Sequence, residues 1–336
     1  MAAIRWGIIG CGDVTEVKSG PAFGKVPNSE LVAVMRRDAD KAKDYASRHK
    51  VPKWYSDADK LINDPDINAI YVATPPSSHE EFTLAAIKAG KPVYVEKPMT
   101  VNAASALTMT KAADEKHIKL VVAHYRRAQP LFNKVKQLII EGVVGDIRLV
   151  KLELAKRSVT KEEMQIPGRA WRVDASIAGG GLFHDLAPHQ LDLMYYFFGE
   201  AEKVSGISLN QAGLYASDDI VAGNILFESG VVFNGSWCFN AAEAIDHCEI
   251  QGTLGKISCS VFSTDSISLT VNGKTISFNF DPLQHVQQPM IDATVKYFLN
   301  QGPNPDSGEE GAEVMRILES FLSPLSLSQA AERQTG

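Results

Sequence analysis

Residues 4–12 read IRWGIIGCG: a short apolar run, Ile4 to Ile9, closing in Gly10-Cys11-Gly12. A buried strand that ends in glycines ahead of a helical segment is how a nucleotide-binding βαβ unit opens. The dinucleotide fingerprint asks for G-x-G-x-x-G. One glycine makes the turn, the next lets backbone approach a pyrophosphate, and the last packs helix against strand. Gly10 and Gly12 fill the first two places and Thr15 stands in the third. A glycine pair after a strand also suits an ordinary tight turn, so position decides. This pair follows the first strand and precedes a helix. It predicts a pyrophosphate loop formed by Gly10, Cys11, Gly12, Asp13 and Val14, with the Asp13 carboxylate turned away from the anion.

The same alternation continues to about residue 123. Leu31–Met35, Ala69–Ala73, Val93–Val95 and Leu120–Ala123 are continuous apolar runs, as parallel strands buried on both faces require. Helical stretches lie between them: Asp38–His49, Asp57–Asn63, His79–Ala89 and Ala103–Lys116. The expectation is an α/β domain over 1–123, a doubly wound parallel sheet. After Pro130 the texture changes. A helix over Leu131–Glu141 is followed by strands at 148–154, 204–209, 220–227, 231–239, 248–252, 256–262 and 267–280, the last broken by an Asn272-Gly273 hairpin turn. Helices are expected at Leu186–Phe198, Pro289–Asn300 and Glu309–Ser323. Residues 124–336 thus read as an α+β domain on a mostly antiparallel open sheet.

Composition excludes several functions. A net charge of −6 with scattered Lys and Arg argues against nucleic acid. No apolar run is long enough to span a membrane. The four cysteines form no C-x-x-C pair, so no zinc ribbon or redox motif is supported. The six residues before Gly7 leave no room for a signal peptide, and a cytoplasmic setting is expected.

Two further stretches carry chemistry. At the end of the second strand, where an acid would accept the ribose hydroxyls of NAD, the chain has Arg36-Arg37-Asp38. Guanidinium forms charge-assisted forks with phosphate, so this favours NADP(H), with NAD(H) the alternative. Two solvated arginines beside a helix-capping Asp38 would be the plainer account. In Gly179-Gly180-Gly181-Leu182-Phe183-His184-Asp185-Leu186-Ala187-Pro188-His189-Gln190-Leu191-Asp192, the residues Asp185, His189 and Asp192 fall on one helical face. A carboxylate beside an imidazole is what a general base with an orienting partner needs. Equally, Asp185 could be a cap and His189 a surface histidine. Pro188 suits only a first turn, so the helix is expected to begin near Asp185 or to kink. No metal site is expected.

Gly7-x-x-Gly10-x-Gly12, Ala73-Thr74-Pro75-Pro76-Ser77-Ser78-His79, Glu96-Lys97-Pro98 and the run from Gly179 to Asp192 together resemble the glucose–fructose oxidoreductase / inositol dehydrogenase / MocA family. The resemblance covers nearly the whole chain. It implies a Rossmann domain followed by an α+β domain whose open sheet serves homodimer or homotetramer assembly. It also implies NAD(P)-dependent hydride transfer on sugars, polyols or related hydroxy/keto compounds. Carried over by position, Lys97 becomes the catalytic lysine and His189 the acid/base, with Asp185 orienting the imidazole and favouring its charged form. Thr74, Pro75 and His79 line the cofactor, joined by Glu96 and Lys97. Arg126, Trp171 and Arg172 would face the substrate. The family often has a cis peptide bond at the position of Lys97–Pro98. His124-Tyr125, Ala187 and Pro188 depart from its usual pattern. A cofactor-dependent glycosidase, or a non-catalytic NADP(H)- or sugar-sensing protein, remains the alternative.

Overall fold

The structure, a computed structural model, describes residues 3–166, 170–263 and 265–322. Six parallel strands form the first sheet: β1 Ile4–Ile9, β2 Ser29–Met35, β3 Lys53–Tyr55, β4 Ala69–Val72, β5 Val93–Val95 and β6 Leu120–Val122. Their order is β3-β2-β1-β4-β5-β6. Every residue of β4, β5 and β6 is buried, which is why these segments are unbroken apolar runs. The strand β3 was not foreseen: it is three residues long, and only its pairing to Ala33–Met35 defines it.

The topology fixes where a ligand can sit. Strand order reverses between β1 and β4, and in open α/β sheets ligands bind at the carboxyl edge beside that switch. Gly10–Gly12 leaves that edge from β1, Arg36-Arg37 from β2, Thr74–His79 from β4, Glu96–Pro98 from β5 and His124–Arg127 from β6.

The second sheet has eight strands: β7 Ile147–Ala155, β8 Ala201–Leu209, β9 Ile220–Phe227, β10 Val232–Cys238, β11 Ile245–Gly252, β12 Gly255–Cys259, β13 Ser266–Val271 and β14 Lys274–Asn279, in the order β14-β13-β12-β11-β7-β10-β9-β8. All neighbours are antiparallel except β7 and β10. Burial alternates along β9 and β10, so one face is packed and the other open. The expected Asn272-Gly273 turn is present, both residues having positive φ (50° and 74°).

The helix Gly181–Phe198 covers the packed face. It begins four residues before Asp185 and carries Pro188 in its interior, so the expected start near Asp185 is corrected. Its first turn is anchored by packing. Phe183 meets Trp237 edge-on at 5.1 Å, and the Trp237 indole N–H donates to Gln190 Oε1 at 2.6 Å. Phe183, Ala187, Leu191 and Met194 are all buried. Full burial of each large apolar side chain contributes roughly 1.5–3 kcal/mol, enough together to hold a helix across its proline. The glycine run makes room for His184: a Cβ on Gly180 would stand 2.0 Å from its Nδ1.

The chain returns to the first domain at its end. Helix Gln288–Phe298 buries Met290, Ile291, Val295 and Phe298 in the same core as Trp6 and Phe23. Helix Gly308–Leu322 follows, and the expected last residue of that helix, Ser323, lies outside the described residues. Among the described residues, no helix is long and apolar enough to cross a membrane.

Candidate active site

The glycine loop comes first because it tests whether a dinucleotide fits. The carbonyl of Met35 accepts from the N–H groups of Gly10 (2.9 Å) and Cys11 (3.1 Å), which pins the loop to β2. Gly10 has φ +95°, and a Cβ there would press on Thr74 and Ala73 at 2.8–2.9 Å. That glycine serves the protein's own packing. Gly12 does not: its φ is −124°, and a Cβ would meet nothing nearer than Gly10 O at 3.9 Å. The space beside Gly12 is a cradle that only a ligand needs empty, and the amides of Gly12, Asp13 and Val14 precede the hydrogen-bonded part of the helix Asp13–Val17. The residues present therefore fit a pyrophosphate. Asp13 is exposed, and the Cys11 side chain is fully buried, so any contribution from Cys11 is through backbone.

Thr15, in the third fingerprint place, is buried and bonds back to Gly12 O at 2.8 Å. Close packing has moved to Gly20, where a Cβ would lie 2.2 Å from both Thr15 O and Tyr45 Oη. The first helix is accordingly split into Asp13–Val17 and Gly20–Phe23. Gly12→Ala is expected to leave the thermal midpoint within about 1 °C of wild type and to weaken cofactor binding at least tenfold, read by titration of nicotinamide fluorescence. Unchanged affinity would remove the pyrophosphate from this loop.

At the end of β2, Arg36 Nη1 lies 3.4 Å from Cys11 O, over the glycine loop. Arg37 is exposed and makes no ion pair among the described residues. Asp38 is spent as the cap of helix Ala39–His49, accepting from Lys41 N at 3.1 Å. Its other oxygen, Oδ2, lies 3.2 Å from Lys41 Nζ.

Two residues expected to line the cofactor are buried and bonded to the protein's own groups. His79 is fully buried. Its Nε2 lies 2.7 Å from Thr74 O, and its Nδ1 lies 3.1 and 3.3 Å from Pro98 O and Met99 O. It ties the loop after β4 to the loop after β5, and burial holds its pKa below the usual value. Glu96, also buried, accepts from Tyr71 and from Gln287 Nε2 (2.6 Å), and its Oε2 accepts from Lys97 N at 3.2 Å. Its carboxylate braces the backbone at Lys97. Thr74 and Pro75 remain partly exposed on the same edge.

Lys97 follows, and the Lys97–Pro98 peptide is cis. Its Nζ donates to Asp185 O at 2.7 Å and Asp185 Oδ1 at 3.0 Å. Arg172 Nε approaches Asp185 Oδ2 at 3.4 Å, and the Arg172 guanidinium stacks 4.8 Å over the Trp171 ring. Lys97, Asp185, Trp171 and Arg172 are thus together, as expected. Burial pushes the Asp185 pKa up, but Lys97 and Arg172 outweigh that and hold it below its ordinary value.

His189 sits one turn further along the same helix, 4% exposed. The expectation that Asp185 favours a charged imidazole is corrected, because that carboxylate is engaged by Lys97 and Arg172. Burial, reinforced by the positive charges of Lys97 and Arg126, drives the His189 pKa well below its usual range. Its Nδ1 is buried without a hydrogen-bond partner among the described residues. Tyr125 and Phe262 meet the imidazole edge-on at 5.0 and 5.9 Å, and the same two rings flank Arg126 at 5.5 and 4.7 Å. Tyr125 was readable from its place beside Arg126. Nothing in sequence pointed to Phe262, which arrives from the turn after β12.

Behind His189 lies a group that spacing could not reveal. His124 Nδ1 is 2.9 Å from Asp306 Oδ2 and 3.4 Å from Asp192 Oδ1. The Arg127 guanidinium bonds Asp192, lies 3.3 Å from Asp306 Oδ1 and bonds Glu310 Oε2 at 2.8 Å. The ligand atoms of His124, Asp192 and Asp306 lie within 4.8 Å of one another, a spacing open to a metal ion. Arg127 already supplies the compensating positive charge there.

A switch-point crevice with a glycine cradle on one side and a lysine, a carboxylate and a neutral imidazole on the other defines a dinucleotide-dependent oxidoreductase. Residues 4–124 match the oxidoreductase family described as NAD-binding Rossmann fold, and residues 132–258 match the GFO/IDH/MocA C-terminal domain. The chain belongs to the GFO/IDH/MocA family and is an NAD-binding oxidoreductase. It is 46% identical to oxidoreductase P35 of Formosa agariphila, over 95% of this chain and 98% of that protein. It is 31% identical to trans-1,2-dihydrobenzene-1,2-diol dehydrogenase of Mus musculus, over 82% of this chain and 80% of that protein. Among solved structures, levoglucosan dehydrogenase with NADH and levoglucosan superposes with a TM-score of 0.85 at 23% identity, covering 98% of each chain.

Proposed function

We propose that the protein transfers a hydride between NADP(H) and a carbinol or carbonyl carbon of a sugar, polyol or related compound, with Lys97 and His189 at the reacting oxygen. The carrying observation is the bonding of Lys97. An ammonium has three donors, and here two are engaged by Asp185 while no third partner exists among the described residues. The free donor would polarise a substrate oxygen and stabilise negative charge on it. His189, kept neutral, accepts the hydroxyl proton in oxidation and returns it in reduction. Asp185 and Arg172 hold Lys97 in place, and Glu96 fixes the backbone from which it projects. The bound nicotinamide supplies the hydride acceptor or donor. Two relatives, one named a dihydrobenzenediol dehydrogenase and one named 1,5-anhydro-D-fructose reductase from Ensifer adhaerens, support a hydroxyl or carbonyl substrate.

Arg36 and Arg37, at the end of β2, support NADP(H). Titration should give tighter binding of NADPH than NADH, and an aldose, ketose and polyol screen with the preferred form should reveal turnover. In Arg36→Ala/Arg37→Ala, NADPH affinity is expected to fall about 10- to 100-fold, one or two lost charge-assisted contacts, with NADH affinity changed far less. A wild-type preference for NADH would overturn this. The open face of the second sheet, which exposes Ile207, Leu209 and Val232, supports self-association there.

A further inference from the structure

Arg126 and Arg127 are adjacent, similarly buried (6% and 4% exposed) and differently served. Arg127 is surrounded by Asp192, Asp306 and Glu310. Arg126 pairs with no carboxylate among the described residues. Its Nη1 donates to Val261 O, its Nε is buried without an acceptor, and Nη2 has none either. A guanidinium does not discharge at any ordinary pH, and an unpaired buried charge is a costly arrangement for a fold to keep. We propose that the substrate of this site carries a carboxylate, which Arg126 receives on its Nε–Nη2 edge. The proposal takes the position of the reacting carbon from the oxidoreductase reading above and adds the chemical class of its substrate.

Three observations carry it. First, Arg126 shares its pocket with the reacting groups, since Tyr125 and Phe262 flank both this guanidinium and the His189 imidazole. Second, the pocket is built rather than incidental. Asp246 accepts the amides of Val261, Phe262 and Ser263 at 3.0, 2.7 and 3.2 Å, fixing both the carbonyl that holds Nη1 and the ring that stacks on the cation. The Asp246 carboxylate acts on Arg126 only through its field, its oxygens facing those amides, and it makes no ion pair with the guanidinium. Third, the charge balance is one-sided. Lys97 and Arg172 both face Asp185, and Arg126 adds a cation that no carboxylate among the described residues pairs.

A neutral polyol would leave the Arg126 charge without an ion-pair partner. A carboxylate would offset it, and the planar two-donor edge matches two carboxylate oxygens. It would also weaken the positive field that, after burial, lowers the His189 pKa, and so make His189 a better proton acceptor.

The test is binding, measured by calorimetry on the whole protein saturated with reduced cofactor, which cannot oxidise hydroxy compounds, with nicotinamide absorbance followed in parallel so that heat from any reduced aldose is excluded. D-glucuronate, D-galacturonate and D-gluconate are compared with D-glucose, D-galactose, D-glucitol, methyl D-glucuronate and D-glucose 6-phosphate. At least one carboxylate is expected to bind 10- to 100-fold tighter than its uncharged counterpart, the worth of one charge-assisted bond. Arg126→Gln should collapse that ratio toward one and Arg126→Lys should restore part of it. If Arg126→Gln does not fold, the wild-type ratio of glucuronate to its methyl ester decides. Carboxylates that bind no tighter than neutral sugars, a preference that survives Arg126→Gln, or tightest binding of the sugar phosphate would each overturn the proposal. Repeating the panel with oxidised cofactor separates the two readings. Carboxylate binding without any nicotinamide absorbance change keeps this proposal and removes the redox one. Turnover of neutral sugars alone does the reverse.

Discussion

Lys97→Met should lower the turnover number about a thousandfold while leaving cofactor affinity within a few-fold of wild type. The size follows from its assigned work. One preorganised donor at a developing oxyanion is worth about 10²–10³ in rate, and assistance to proton transfer about 10²–10⁴. Methionine keeps the unbranched apolar stem, so the packing beside Pro98 is largely retained. Asp185 is not orphaned, because Arg172 still approaches its Oδ2 at 3.4 Å. The fold should therefore survive, which a near-wild-type thermal midpoint would verify. The measurement is single-turnover reduction of the nicotinamide with a substrate the wild-type enzyme accepts. Near-normal turnover would mean that the third donor of Lys97 never meets the reacting oxygen. A loss confined to KM would mean that Lys97 binds substrate without stabilising the transition state.

The parts of this site that local sequence could announce are those whose chemistry and position coincide. Gly10 and Gly12 close the first strand, and Glu96-Lys97-Pro98 closes the fifth. Asp185 and His189 are one helical turn apart. Each statement needs only strand ends or helical spacing. What escaped depends on distant contacts. Whether Thr15 could replace the third glycine turned on Gly20 and Tyr45, which meet only after folding. The partner of Asp185 is Lys97, 88 residues away, rather than the histidine four residues on, and burial followed by nearby positive charges lowers the His189 pKa. The helix start at Gly181 rests on Phe183 against Trp237, a contact between a helix and a strand far downstream. Asp306 carries no motif at all. It becomes significant only because its backbone carbonyl accepts from Val122 N at 3.0 Å, which carries its carboxylate to His124.

That last contact sets the largest stability effect expected in the chain. Arg127→Met should lower the unfolding free energy by about 3–5 kcal/mol, because it leaves buried carboxylates without their principal counter-charge. Asp192 and Asp306 have no exposed surface, so water cannot take over from the guanidinium. An exposed pair gives the contrast. Lys111 and Glu115 lie 3.8 Å apart with side chains 79% and 63% exposed, and Lys111→Met should change stability by less than about 1 kcal/mol. The cluster also makes stability depend on pH through His124. Burial alone would lower its pKa, but Asp192 and Asp306 outweigh burial and raise it. The folded state thus holds the His124 proton more tightly than the unfolded chain does. Its contribution is complete below the unfolded value of about 6.5 and is lost as pH rises through the higher folded value. The His124 contribution should therefore fall between pH 6 and pH 9, read as a wild-type minus His124→Gln difference with a negative slope, in which the opposite contributions of the lowered His79, His184 and His189 cancel. Arg127 opposes the charge on His124, so Arg127→Met should carry the slope to higher pH while lowering stability throughout. Denaturant midpoints measured at intervals across this range would resolve both effects. A difference between wild type and His124→Gln that does not fall with pH would show that His124 is neutral in the folded protein and that Arg127 alone balances the two aspartates.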